Sequence, residues 1–161
     1  MRRIMRGAVA ALVVLVGVWL TAGGVLAAGN PGREPLSVGD LTGPFCGAAL
    51  GDVLLHVDLN KEYVKTYTLQ DGTTKFQVNG RFIADVSANG RLVTLNAGGP
   101  GALYIHPDGS VVATGFGRVL FIGIHGEGIW LYNGNALFDG ATGLVISHTG
   151  HSTDVCALLS S

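Results

Sequence analysis

The sequence predicts an all-β domain from three observations. Short apolar, β-branched runs recur from Gly51 onward, separated by Asn-Gly and Asp-Gly pairs that suit tight hairpin turns. Several runs alternate in polarity, as in RFIADVSA, which is the period-two pattern of a strand with one buried face. No segment after the apolar N-terminal region shows a convincing helical period. These features favour an antiparallel barrel-like roll of about eight to ten short strands, with a two-sheet β-sandwich as the alternative.

The chain begins with a segment typical of a secretory signal peptide. Three arginines, Arg2, Arg3 and Arg6, precede an apolar run over residues 7–20, and small residues follow it. We therefore predict a signal peptide over residues 1–28 and a secreted, extracellular protein. The apolar run is short for a membrane span, which needs about 20 residues. Since residues 7–32 carry no charge, an uncleaved N-terminal anchor with an outward-facing domain is the alternative.

Removal of the leader changes the charge of the chain. The remaining chain has seven basic and eleven acidic residues, which gives a net charge of −4. This balance argues against nucleic acid, whose binding requires basic residues at the phosphates. It also argues against a polybasic membrane contact, so we expect membrane association only if the leader is retained.

The remaining residues divide into an arm and one domain. Residues 29–44 are rich in Gly and Pro and lack periodicity, which predicts a flexible arm. A single all-β domain is expected over 45–161. Its predicted strands cover residues 52–58, 62–69, 74–78, 81–88, 91–96, 102–106, 110–116, 119–125, 128–133 and 144–149.

Individual patterns refine this strand assignment. VLFIGI at residues 119–124 is apolar on both faces and predicts a central strand or one covered on both sides. Turns are expected at the six Asn-Gly and Asp-Gly pairs, including Asn133-Gly134. Residues 152–159 could form one short helical turn.

The two cysteines, Cys46 and Cys156, bracket the domain. In an exported chain, paired cysteines form disulfides, so we predict a bridge between them. A catalytic cysteine with a histidine base is the competing interpretation.

Histidines and carboxylates supply the candidates for a polar site. His106 and His125 lie near strand ends and are possible ligand contacts if those ends meet at one rim. His148 and His151 are three residues apart, so on a strand they point to opposite faces and should not chelate a metal locally. No metal site, cofactor or catalytic residue is therefore predicted.

Asp85 lies in the middle of a predicted strand, where Phe82, Ala84 and Val86 claim the core face. The favoured interpretation is that Asp85 points outward. If it pointed inward, it would be a buried carboxylate with a raised pKa and a possible ligand contact.

Aromatic residues supply a second group of possible ligand contacts. Trp130, Tyr132 and Tyr104 could line a pocket, and Trp130 and Tyr132 share one face of GIWLYN. If Trp130 and Tyr132 point inward, they belong to the core, and this is the interpretation that we favour. If they point outward, they would form a platform for a sugar or a peptide.

The segment from Cys46 to Leu159 resembles a group of small exported actinobacterial proteins that have no assigned activity. The resemblance lies in the early cysteine, the central NAGGPGALYIHPDGSVVATGFGR and the closing DVCALL. It implies a secreted β-domain with a terminal disulfide and supplies no catalytic residue.

The sequence does not decide whether the chain is an enzyme, although no recognisable catalytic constellation appears. We therefore expect a non-enzymatic binding or envelope-associated module with an extracellular or envelope partner of unknown identity. The alternative is a barrel enzyme or a carrier of a small lipophilic ligand, with its site in the lumen.

Overall fold

A computed structural model describes residues 32–123 and 127–161. These residues form an almost entirely β structure, which confirms the predicted fold class. The elements are β1 Glu34–Pro35, β2 Leu41–Gly43, β3 Val53–Asn60, β4 Tyr63–Thr68, β5 Thr74–Asn79, β6 Phe82–Ala88, β7 Arg91–Asn96, β8 Gly101–Ile105, β9 Val111–Gly123, β10 Gly128–Asp139, β11 Val145–Asp154 and α1 Val155–Ser160.

The described strands form two antiparallel sheets and do not close into a barrel. The large sheet has seven strands in the order β1-β4-β5-β8-β9-β10-β11, and the small sheet has four in the order β2-β3-β6-β7. The chain passes between the sheets after β1, β3, β5 and β7, so each local hairpin belongs to one sheet. This arrangement corresponds to a sandwich or an open roll and provides no enclosed barrel lumen for a ligand.

The first hydrophobic cluster lies between the two sheets. Alternation in β6 buries Phe82, Ala84 and Val86. Facing them from the large sheet, Ile129 is fully buried. The other members of this cluster are Phe45, Val53, Leu55, Ala88, Leu95, Ala97, Val155 and Leu159.

Three glycines occupy one row across the long strands. Gly134 on β10 pairs with Gly117 on β9 and with Gly150 on β11, and their φ values are +150°, +76° and +93°. A Cβ on Gly134 would overlap the carbonyl oxygen of Thr149. The predicted turn at Asn133-Gly134 is therefore wrong, because this glycine bends a continuous strand instead of ending it.

The row marks the line at which the large sheet folds over. Phe138 pairs with Ala113, and Phe121 lies eight residues further along β9, a distance of about 26 Å on a straight strand. Yet the rings of Phe121 and Phe138 stack with centroids 5.4 Å apart. The two halves of β9 and β10 must therefore face each other across the bend.

A second hydrophobic cluster fills the concave side of this bend. Its buried members are Ala113, Tyr132, Ala136 and Phe138. Leu103, Val119, Phe121, Trp130 and Val145 pack against them. The prediction that VLFIGI is covered on both sides is confirmed for residues 119–122, since Leu120 and Ile122 pack on the first cluster and their neighbours on the second.

The segment expected to be a flexible arm contributes two short strands. β1 pairs with β4 and β2 pairs with β3. Between them, the Leu36 N–H donates to the carbonyl of Glu62, and the Asn60 side chain donates to the carbonyl of Leu36. These hydrogen bonds pair the backbone polar groups of the segment, as a folded chain requires. The Gly- and Pro-rich composition alone does not predict them.

The C-terminus is fastened by a disulfide, as predicted. Cys46 and Cys156 are bonded, with Cα atoms 5.5 Å apart. Cys156 lies in α1, and Asp154 caps this helix by accepting a hydrogen bond from the Ala157 N–H at 3.0 Å. The predicted helical turn over residues 152–159 is therefore present, although it begins at Val155.

The predicted signal peptide lies outside the described residues. Within 32–123 and 127–161, no helix has both the length and the hydropathy to cross a membrane.

Candidate binding face

Tyrosine rings and cationic groups alternate on one face of the large sheet. On β4, Tyr63, Lys65 and Tyr67 point to the same side because strand side chains alternate. Lys75 on β5 pairs with Tyr67 and with Tyr104 on β8. We call these five residues, with Arg33 beside them, the tyrosine–cation strip.

The cationic groups of the strip lie against tyrosine rings. The Arg33 guanidinium lies 3.9 Å from the centroid of the Tyr63 ring. The Lys75 ammonium lies between Tyr67 and Tyr104, at 5.8 Å and 5.6 Å from the two ring centroids, and Lys65 lies 5.7 Å from Tyr67. Cation–π attraction of this kind is worth about 0.5–1 kcal/mol at exposed sites. It therefore restrains long cationic side chains that would otherwise move freely.

The strip lies on the face of the sheet opposite to the second cluster. Tyr104 precedes Ile105 and follows Leu103, which packs on that cluster, so neighbouring residues of β8 point to opposite sides. Tyr67 is 38% exposed, and the other members are half-buried, apart from the exposed Arg33. Three of the seven basic residues outside the leader are in the strip, so a chain with a net negative charge carries a local cationic surface.

The outer face of the small sheet has the opposite character. His56 Nδ1 lies 2.8 Å from an Asp40 carboxylate oxygen, and Asp85 is the cross-strand partner of His56. The hydrogen bond to Asp40, with the nearby charges of Asp40, Asp85 and Asp58, raises the pKa of His56. The same hydrogen bond and one from the Val57 N–H lower the pKa of Asp40.

Asp85 lies on this outer face and is not part of the core. Its carboxylate accepts a hydrogen bond from the Thr94 hydroxyl at 2.6 Å, while Ala84 and Val86 beside it are fully buried. The outward interpretation is therefore the one that the structure supports. The Asp40–His56 pair is about half exposed, so no shielded catalytic environment surrounds it.

The structure does not bring the three predicted aromatic candidates together. Tyr132 is buried in the second cluster, where its ring contacts Phe138 edge-on and lies 5.3 Å from the His148 ring. Trp130 packs on the same cluster and donates to the Glu127 carbonyl at 3.1 Å. The core interpretation therefore holds for this pair, and Tyr104 lies on the opposite face of the sheet.

The histidines that the structure describes do not converge either. His106 Nδ1 lies 3.1 Å from the hydroxyl of buried Thr73, in the turn region beside β5 and β8. His148 and His151 lie on opposite faces of β11, as predicted, although the strand continues through Gly150 to Asp154. His125 lies outside the described residues.

Sequence reasoning did not single out the strip as a site. The pattern Tyr-x-Lys-x-Tyr in β4 was a usable signal, since it places three such side chains on one face. Lys75 and Tyr104 join them only through the register of β5 and β8, which the sequence alone does not provide.

No group of three or more His, Cys, Asp or Glu in the described part of the chain could hold a metal ion. Comparison with protein-family models, with curated proteins and with solved structures finds no match to the chain.

Proposed function

We propose that the protein is an exported, non-enzymatic binding module of the bacterial cell exterior, and that it binds an anionic polymer along the tyrosine–cation strip. The observation that carries this proposal is the alternation of restrained cations and tyrosines on one solvent-facing side of the large sheet. The basic start of the chain, with the apolar run and small residues after it, supports export, as does the Cys46–Cys156 disulfide.

The geometry of the strip suits an extended ligand. Tyr63 and Tyr67 are four residues apart on β4, which corresponds to about 13 Å along a strand. The row Tyr67–Lys75–Tyr104 then crosses to the neighbouring strands. Ammonium, guanidinium and phenol groups all donate hydrogen bonds, so carboxylate or phosphate groups repeated along a polymer would meet several donors at once.

The alternative of a lumenal carrier or barrel enzyme finds less support. The concave side of the bent sheet holds the stacked rings of Phe121 and Phe138 with Tyr132 against them. Among the described residues, side chains thus fill the concave side of the sheet, where a carrier would need an open cavity for its ligand.

Binding to defined polymers tests the proposal. We expect affinity electrophoresis to retard the protein in gels containing polygalacturonate or polyphosphate, but not in gels containing fully methyl-esterified polygalacturonate. The carboxylate and phosphate gels distinguish the two sources of negative charge. Absence of retardation in both charged gels would refute the proposal.

A charge-matched pair of variants locates the binding site. Lys65→Gln with Lys75→Gln removes two charges from the strip, and we expect it to weaken binding about tenfold or more. Lys61→Gln with Arg91→Gln removes two charges from exposed positions elsewhere, and we expect it to bind like the unmodified protein. Equal losses in both variants would show that net charge, and not the strip, determines binding.

A further inference from the structure

The two sheets have four edges, and three of them are protected against pairing with another strand. β1 has two residues and ends in Pro35. β2 has three residues and is followed by Pro44. β7 has six residues and begins with Arg91. Short length, proline and charged side chains are the usual ways of protecting an edge.

The fourth edge, β11, lacks these protections. It has ten residues, VISHTGHSTD, of which those from Ile146 to His151 are exposed. It contains no proline, lysine or arginine, and its only carboxylate is Asp154 at the end. Among the described residues, no strand pairs with its outer side. Such an edge is a template for an additional strand.

The bend at Gly150 restricts what that strand can be. Each of the three long strands has a glycine where the sheet bends. Gly134 on β10 lies opposite Gly150, and Gly117 on β9 lies opposite Gly134. All three glycines have positive φ, a conformation that other residues adopt at a cost. A further strand can extend the sheet on both sides of the bend only if it has a glycine in the same row.

We propose that β11 pairs with β11 of a second copy of this chain, antiparallel and with Gly150 opposite Gly150, which makes the protein a homodimer. A second copy carries the required glycine at the required position. An arbitrary extended peptide would not.

This register is compatible with the side chains it brings together. Thr149 lies opposite His151 of the second copy, and His148 lies opposite Ser152 of the second copy. No two like charges face each other directly, since Asp154 meets Ile146. The contact is isologous, so each pair occurs twice and the assembly closes at two chains.

The dimer also has a consequence for ligand binding. In an antiparallel pair of identical strands, the two chains are related by a two-fold axis perpendicular to the joined sheet. This axis places the same face of both large sheets on the same side of the dimer. Two tyrosine–cation strips would then be available to one polymer and could bind it with avidity. This consequence rests on the proposed function, whereas the pairing itself does not.

Sedimentation velocity with oppositely charged variants tests the pairing. Thr149→Lys with His151→Lys places like charges directly opposite each other in the dimer, and Thr149→Glu with His151→Glu does the same with negative charge. We expect the unmodified chain to sediment as a dimer that dissociates on dilution, and each charged variant to sediment as a monomer. Mixing the two variants should restore dimers.

A control variant and the signs of failure complete the test. Ser37→Lys with Gln70→Lys adds the same charge at exposed positions outside β11 and should dimerise normally. The pairing is refuted if the unmodified chain is monomeric at every concentration tested. It is equally refuted if the charged variants dimerise alone, or if their mixture stays monomeric. Because sedimentation requires no ligand, failure of the pairing would leave the binding proposal unaffected.

Discussion

The two hydrophobic clusters are built in different ways. The first cluster lies between separate sheets and consists mainly of aliphatic side chains, with the helix and the disulfide at its margin. The second cluster lies within one sheet that folds over itself, and aromatic rings fill it. The first therefore depends on period-two alternation, which many sequences satisfy. The second depends on glycines with positive φ at three register positions, and at two of them, Gly134 and Gly150, the neighbouring strand leaves no space for a Cβ.

The largest effect is expected from a side chain at the bend. In Gly134→Ala the new Cβ would overlap the carbonyl oxygen of Thr149, at a residue with φ of +150°. We expect a loss of about 4 kcal/mol or more in the free energy of unfolding, measured by urea denaturation.

A matched control separates the overlap from the cost of positive φ. Gly109 also has positive φ, at +84°, but a Cβ there would meet no atom within 4 Å. Gly109→Ala should cost only about 1–2 kcal/mol. Equal losses in the two variants would show that the row of glycines at the bend imposes no special constraint.

Trp130, the only tryptophan outside the leader, packs on the second cluster, so its fluorescence reports on that cluster.

Removal of the disulfide tests the first cluster. The bridge joins residues separated by 110 positions, and loop closure of this size is worth about 4–5 kcal/mol in the chain-entropy model, often less in practice. Cys46→Ser with Cys156→Ser should therefore lower the free energy of unfolding by up to this amount. Adding reductant should destabilise the unmodified protein by a similar amount and leave the double variant unchanged. If the reduced protein unfolds at the same urea concentration as the oxidised one, the bridge does not stabilise the fold.

These two regions also differ in how far the sequence predicts them. The alternation of β6 identifies Phe82, Ala84 and Val86 as core and places Asp85 outside, as the structure shows. Asn133-Gly134 has the local chemistry of a hairpin turn, yet it lies within a strand, because Gly117 and Gly150 in neighbouring strands share its bend. Local patterns identify faces and turns, but they do not provide the register between distant segments.

The candidate binding face shows the same limit. Its β4 residues are predictable as one face from Tyr-x-Lys-x-Tyr alone. Lys75 and Tyr104 enter the strip only when the pairing of β4 with β5 and of β5 with β8 is known. For this reason the sequence groups Tyr104 with Trp130 and Tyr132, which the fold places on the opposite side.

A smaller effect is expected at Thr114, which lies on the face of β9 opposite to the second cluster. Its hydroxyl oxygen is buried and has no hydrogen-bond partner among the described residues. An unsatisfied buried polar group costs about 1–3 kcal/mol, so Thr114→Val should raise the free energy of unfolding by about 1 kcal/mol. The control Thr94→Val removes a hydroxyl that donates to Asp85 and should not stabilise. A destabilising Thr114→Val would show that the hydroxyl makes a contact that the structure does not contain.

The smallest effect concerns Glu62, at the point where the chain crosses from the small sheet to the large one. Burial raises the pKa of Glu62 from 4.5 to about 7. Between these values the folded state retains a proton that the unfolded state releases, so the free energy of unfolding falls as pH rises from about 4.5 to 7. Because the side chain is partly exposed and solvent screens its charge, we expect this fall to be about 1 kcal/mol.

The variant Glu62→Gln should remove this part of the pH dependence. It should also make the protein more stable than the unmodified chain at pH 7, where the unmodified protein has lost the contribution of protonated Glu62. Urea denaturation at pH 4.5 and pH 7 measures both effects, and Glu34→Gln, at an exposed carboxylate, is the control. An unchanged pH dependence in Glu62→Gln would show that the crossing between the sheets tolerates a charged carboxylate. The burial of Glu62 would then impose less constraint than Gly134 and Gly150, where even one methyl group would overlap a backbone carbonyl oxygen of the neighbouring strand.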